Sequence, residues 1–255
     1  MTNFQQLDQP ADEAAYLSGN TTPLAQQSVP HGPFRQFLRS AIHTLSYHFI
    51  LTRRAVQATR AAGFRLTVRP TVFHPRWFIS SEWFAEFIER LDLKDKTVID
   101  VGTGSGILAL AAARAGAKYV VAADINPNAA LSAADNAQAN GYGAVSAICS
   151  DLLSAFAQRP LFDVILSSPP KHAGEPRDLA DRGWHAGPHY RDIAALFEQA
   201  QACLKPDGRV YVMLSSDSDL GLINRLIARA GFRARIVFKR SIFIESFIVY
   251  ELIRC

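Results

Sequence analysis

Hydrophobic positions along this 255-residue chain change period several times, and each change marks an element. Apolar residues at 34, 37, 38, 41, 42, 45, 49, 50, 55 and 56 fall at helical spacing. One long helix or two shorter ones are expected from Phe34 to about Ala62, stopped by Gly63. Phe64 to Arg69 alternates like a short strand, and a helix is expected from Glu82 to Leu91. Thr97-Val-Ile-Asp-Val101 differs in kind: its β-branched residues flank one acid, Asp100, as in a strand covered on both faces. Gly102-Thr-Gly-Ser-Gly106 follows, then a helix over Leu108–Arg114 with Gly116 as its stop. The alternation then repeats. Strand Tyr119–Ala123, helix Pro127–Asn140 with proline in its first turn, strand Ala144–Cys149 and strand Leu161–Leu166 come first. A helix to Leu204, strand Arg209–Leu214, helix Leu220–Ala230 and a closing pair, Ala234–Phe238 and Phe247–Leu252, complete the chain. This order predicts an α/β fold: a Rossmann-like sheet with helices on both faces, a C-terminal antiparallel hairpin and a helical N-terminal extension.

The glycines carry the chemistry. Three in five residues let the chain turn tightly after a buried strand and bring a ligand against peptide groups. Asp124 closes the next strand, where a strand-helix-strand unit places an acid against ribose hydroxyls, and that narrows the ligand to a nucleoside. A dinucleotide fingerprint would need its third glycine at position 107, but Ile107 stands there and the glycine comes one residue early, at Gly106. A Gly-x-Gly-x-Gly loop with Asp100 before it and Asp124 closing the next strand resembles the class I S-adenosylmethionine (SAM) methyltransferases. Ser167-Ser-Pro-Pro-Lys171 is similar to the Asn-Pro-Pro-Tyr motif of the HemK-like lineage of protein-glutamine and amino methyltransferases. Ser168 takes the place of the asparagine there, and Lys171 that of the aromatic.

The resemblance covers roughly residues 70–255 and implies a SAM-binding catalytic domain over that range. Implied SAM contacts are Phe73 and Pro75 in an aromatic-proline lead-in, then Asp100, Gly102, Thr103, Gly104 and Gly106 beside the methionine part. Asp124, Ile125 and Asn126 would lie at the ribose, Asp151 and Leu152 at the adenine, and Ser168 at the reacting end. Asp151 also stands where it would cap a following helix. The Ser168 side chain and the Pro169 carbonyl would orient the acceptor, whereas Lys171 removes the ring that would stack on a planar one. The loop from Lys171 to Pro188 has the length of a functional lid. With the residues just after it, it offers His172, His185, His189 and Tyr190 as candidate bases.

At 49% hydrophobic, the chain suffices for one substantial core. Residues 1–33 lack periodicity and read as a mobile lead-in, residues 34–69 as a helical extension or lid, and residues 70–255 as the catalytic domain. The apolar stripe of the extension must cover the catalytic domain or the same stripe of a second copy, giving a homodimer. No apolar run reaches membrane-spanning length, and the polar start has no apolar leader. Cys149, Cys203 and Cys255 are odd in number and far apart, so reduced thiols, no metal site and a cytoplasmic protein are expected. Residues 1–76 carry eight Arg against three acids, the remainder nineteen Lys or Arg against twenty acids, so the basicity sits at the front. It is too sparse to make nucleic acid the expected partner. The expected function is SAM-dependent methylation of nitrogen or oxygen of a small molecule, in small-molecule biosynthesis. A second reading is cyclisation of SAM to azetidine-2-carboxylate with release of methylthioadenosine, since Phe73, Trp184 and Tyr190 are available to surround a sulfonium. A third is methylation of a protein glutamine or a nucleic-acid amine.

Overall fold

The computed structural model describes residues 55–75, 79–242 and 245–255. A two-stranded hairpin comes first, β1 (Gln57–Ala61) and β2 (Phe64–Val68). The predicted helix was to run through these residues; the segment before residue 55, with the lead-in and the surface expected to pair two copies, lies outside the described residues. Two residues reverse the chain here. Ala62 and Gly63 both take positive φ, 47° and 79°, so Ala61 pairs directly with Phe64 in the two-residue turn whose twist matches a hairpin. A helical reading of Ala55 and Val56 had no means of seeing this turn.

Helix α1 (Ser80–Ile88) leads into the central sheet. Its strands are β3 (Thr97–Val101), β4 (Tyr119–Asp124), β5 (Val145–Cys149), β6 (Phe162–Ser167), β7 (Leu204–Ser215), β8 (Phe232–Ile242) and β9 (Glu245–Arg254). They lie in the order β5-β4-β3-β6-β7-β9-β8, with β9 antiparallel to both neighbours and the other pairings parallel. The chain winds outward from β3 to β5 and then returns to lay β6 on the other side of β3. Such a reversal opens a crevice at the carboxyl ends of the strands. Helices α2 (Ile107–Arg114), α3 (Pro127–Ala139), α4 (Arg191–Cys203) and α5 (Leu220–Arg229) connect β3 to β4, β4 to β5, β6 to β7 and β7 to β8, and turns alone carry the chain from β5 to β6.

Successive residues of β3 feed opposite faces, as the pleat requires. Val98 joins a core with Phe84, Leu110 and Val120, while Ile99 joins one with Ile165, Phe197 and Ile223. Both side chains are fully buried. Each contributes about 1.5–3 kcal/mol by leaving water. Strand β7 begins at Leu204, five residues earlier than expected, and accommodates Lys205-Pro-Asp-Gly208 in a register shift opposite Phe162 and Val164. The three cysteines are free, and no helix among the described residues is long and apolar enough to cross a membrane.

The hairpin is fixed to the domain by a device with no counterpart in the sequence reading. Along α3, Asn140 accepts from Arg65 N–H (3.0 Å) and donates to its carbonyl (2.7 Å). Asn136 does the same with Thr67 (2.6 and 3.0 Å), and Ser132 accepts from Arg69 N–H (3.1 Å). Four residues of helix rise about 6 Å and two residues of strand about 6.7 Å. One face of α3 therefore pairs with β2 much as a neighbouring strand would.

Candidate functional site

The carboxyl ends of β3, β4, β5 and β6 open on a cleft of about 560 Å³. One wall begins where Gly102 and Thr103 donate their N–H groups to the Ala123 carbonyl (2.9 and 3.0 Å), extending the β3–β4 pairing into the loop. Gly102 and Gly104 have φ of +76° and +55°, and a Cβ on either would meet nothing within 4 Å. Bare backbone thus faces open space there, a cradle that side chains would fill. Gly106 serves a different end. A Cβ on it would lie 2.9 Å from Ala133 Cα, so it permits close approach of α3 and is not among the residues lining the cleft.

Asp100 is likewise displaced from the expected role. It is fully buried and off the cleft. One carboxylate oxygen accepts from Thr103 Oγ1 (2.6 Å) and from Ala109 N–H (3.2 Å), tying the loop to the first turn of α2. Its other oxygen has no hydrogen-bond partner. Burial pushes the Asp100 carboxyl up to about 7, against the pull of those two donors.

Asp124 does face the cleft. Its oxygens accept from Gly104 N–H and Asn126 N–H, both at 2.9 Å, which leaves lone pairs on each for a vicinal diol. Burial raises its carboxyl above the usual range, and the same two N–H groups draw it back. Asn126 lines the cleft, but its carboxamide is engaged. The oxygen caps Asn128 N–H (3.0 Å) and the nitrogen donates to the Thr71 carbonyl and hydroxyl (3.1 and 2.9 Å). Ile125, Asp151 and Leu152 complete this end. The turn after β5 is held by Ser150, whose hydroxyl accepts from Ala155 N–H (3.3 Å), so the exposed Asp151 is left to the cleft and is not a cap.

The opposite wall is made of side chains. Ser167 donates from Oγ to the Val101 carbonyl (2.9 Å), and Ser168, Pro169, Pro170 and Lys171 then pass along the cleft with Ser168 exposed. Lys171 Nζ sits 2.9 Å from Glu245 Oε1, 3.6 Å from Asp217 Oδ2 and 5.6 Å from the centroid of the Trp184 ring. Glu245 also accepts from Ser215 Oγ. Sequence reasoning missed Asp217 and Glu245. They lie 46 and 74 positions from Lys171, and only the β6-β7-β9 order brings the three together.

Trp184 and Phe73 both line the cleft, with ring centroids 5.3 Å apart. Gly183 makes room for them, since a Cβ there would lie 2.5 Å from the Phe73 ring. Behind Trp184 the loop is knotted. His172 stacks on Trp184 at 6.0 Å, His185 Nδ1 lies 3.2 Å from Asp181 Oδ1, and Asp181 accepts from Arg177 N–H and Nε (3.0 and 3.1 Å). Burial would raise the Asp181 carboxyl, but the Arg177 hydrogen bonds and the nearby His185 outweigh it and hold it below its usual range. His172 and His185 are therefore loop framework, and neither lines the cleft. His189 is exposed and off the cleft too. The Tyr190 hydroxyl donates to the Lys171 carbonyl (3.2 Å) and accepts from Asp219 N–H (2.9 Å), while burial raises its pKa, so it is a structural tie and no base. Pro75 is buried away from the cleft, and residues 76–78 lie outside the described residues. Among the described residues no group of three or more His, Cys, Asp or Glu is arranged to hold a metal.

A family model described as ribosomal protein L11 methyltransferase (PrmA) matches residues 83–168, which run from α1 to Ser168. The ribosomal protein L11 methyltransferase of Vibrio vulnificus is 53% identical over 68 residues, 27% of this chain and 22% of that relative. That of Haemophilus influenzae is 52% identical over the same length and shares. The match thus spans 22% of the length of these curated relatives. Among solved structures, the ribosomal protein L11 methylase of Lactobacillus delbrueckii subsp. bulgaricus has 27% identity and a TM-score of 0.54, covering 72% of this chain and 82% of that one. The Thermus thermophilus 16S rRNA N2 G1207 methyltransferase, solved with AdoMet and guanosine, shares the fold at 24% identity and a TM-score of 0.55, covering 77% and 50%. The chain has the class I methyltransferase fold. The finer likeness to the HemK-like lineage and the SAM-cyclase reading find no support in these relatives. The expected partners, a small-molecule acceptor with nucleic acid unlikely, are overturned, because the relatives are named for modifying a ribosomal protein. The premise of that expectation fails as well. Lys171 was read as removing a ring from the acceptor side, yet Trp184 lines the cleft beside it.

Proposed function

We propose that the chain is a SAM-dependent methyltransferase acting on a nitrogen of a macromolecule of the translation machinery. The observation that carries the cofactor half is the placement of Asp124. Its carboxylate is aimed by Gly104 and Asn126 N–H groups beside glycines with open space above them. Backbone of Gly102–Gly104 would lie along the methionine part, Asp124 would accept from the ribose hydroxyls, and Asp151 with Leu152 would border the adenine. When bound, SAM supplies an electrophilic methyl group on a positively charged sulfur.

The chain's own part is then largely geometric. Ser168 and the Pro169 carbonyl, at the end of β6, would hold the acceptor nitrogen, and holding reactants in line supplies much of the rate. A neutral nitrogen would attack the methyl carbon as its bond to sulfur breaks and afterwards release its proton to water, which suits a cleft whose predicted histidine and tyrosine bases lie elsewhere. Relatives named for methylating a ribosomal protein support the substrate class.

The test is incubation of the full chain with methyl-labelled SAM and ribosomes, followed by separation of protein from RNA. Label in one fraction, with S-adenosylhomocysteine (SAH) released, is expected. SAM bound in a calorimeter but no label in either fraction would sink the substrate class. No SAM binding at micromolar concentration would sink the whole reading.

A further inference from the structure

Asn136 makes a contact that the rest of the α3 ladder does not. It is fully buried, and both hydrogens of its Nδ2 are engaged, one by the Thr67 carbonyl (3.0 Å) and one by the Ser105 carbonyl (2.8 Å), while Oδ1 accepts from Thr67 N–H (2.6 Å). Ser105 belongs to the glycine loop and lines the cleft. Thr67 belongs to β2, whose continuation through Thr71, Val72 and Phe73 forms another part of the cleft lining. One planar amide therefore ties the glycine loop to the strand that leads into the Thr71–Phe73 part of the lining, between residues 38 positions apart in sequence. Asn140 grips the same strand at Arg65 but bonds nothing in the glycine loop, and it is only half-buried.

From this geometry we infer that Asn136 is a positioning residue that sets the separation between the glycine loop and the Thr71–Phe73 wall, and with it the affinity for SAM. The inference rests on the SAM reading above. An amide is suited to the place because two carbonyls need donors and one N–H needs an acceptor, and only Asn or Gln offers both from one side chain. Gln is a methylene too long for a site packed this closely. Gly106, whose α-carbon approaches Ala133 on the same face of α3, leaves the loop no slack to recover the lost bond.

Binding and turnover of four full-length proteins test this. Asn136→Ala and the near-isosteric Asn136→Asp should each weaken SAM and SAH binding by about tenfold or more. KM for SAM should rise in step while kcat stays within about twofold, because the acceptor side is not touched. Asn140→Ala, which loosens the hairpin without reaching the loop, should bind SAM within about twofold of the wild type. Asn136→Asp preserves volume and the Thr67 N–H bond but sets an oxygen against the Thr67 and Ser105 carbonyls, so circular dichroism and a thermal melt of every variant accompany the binding data and the loss is read on folded protein. Equal losses at 136 and 140 would overturn the inference by showing that hairpin stability alone matters, as would unchanged affinity at 136. A wild-type chain that binds no SAM would overturn the reading on which both rest.

Discussion

On the β5-β4-β3 side the cleft is lined by a glycine loop and by side chains that follow strand ends, and on the β6-β7-β9 side by side chains from distant positions held by one another. Gly102, Gly104 and Asp124 are placed by hydrogen bonds within a single strand-helix-strand unit and by the Asn126 N–H just beyond it. Lys171, Asp217, Glu245 and Trp184 are placed by sheet order and by a knotted loop. A surface made by local backbone is written in a short stretch of sequence and resembles itself across proteins. A surface assembled from distant side chains can change at each position separately. The matching family model ends at Ser168, where the first kind of surface gives way to the second.

Four perturbations would break or sharpen that contrast. The largest effect is expected for Gly106→Val. Positive φ and the close approach to Ala133 forbid the side chain, so SAM binding should fall at least about a hundredfold in titration calorimetry. Wild-type affinity in that variant would mean the loop is not rigid backbone.

Next comes the buried acid beneath the loop. Burial pushes Asp100 up to about 7, above its value of about 3.9 in the unfolded chain, so the folded state retains a proton that the unfolded state has released. The stabilisation is complete below the unfolded value and is lost as pH rises through about 7. Urea denaturation should show stability falling by about 2 kcal/mol between about pH 5 and about pH 8, with Asp100→Asn flattening the slope. The same slope in both proteins would assign it to another group.

Asp124→Ala should cost about tenfold in SAM affinity, or roughly 1.4 kcal/mol, with the fold intact. An unchanged dissociation constant would remove Asp124 from the ribose. The smallest effect is expected across the cleft. Lys171→Met leaves Glu245 and Asp217 without their shared cation, and turnover should drop about three- to fivefold while SAM binding is unaltered. If SAM affinity moved instead, the two walls would not be separable in function.

The same contrast explains what could be read beforehand. Strands β3 to β7, helices α2 to α5 and the closing pair follow from periodicity and glycine, because each is a local pattern. The placement of Asp124 at the cleft followed from its position at a strand end. Asp100 and Gly106 were assigned to the ligand because they belong to the motif, and only packing against Ala109 and Ala133 reveals that they support the loop from behind. Four candidate bases came from counting His and Tyr in a loop of lid length, and sequence carries no sign that Asp181, Trp184 and Asp219 already engage three of them. The strand at Gln57–Ala61 was hidden for a related reason. Ala62 adopts a left-handed conformation that its identity does not announce.

The asparagine face of α3 bears on more than cleft geometry. A strand edge left open in a two-stranded hairpin is an adhesive template for another chain, usually blunted by charge, proline or a bulge. Here the peptide groups of Arg65 and Thr67 are already saturated by carboxamides. A helix has thereby closed off a route to self-association without adding a strand to the sheet.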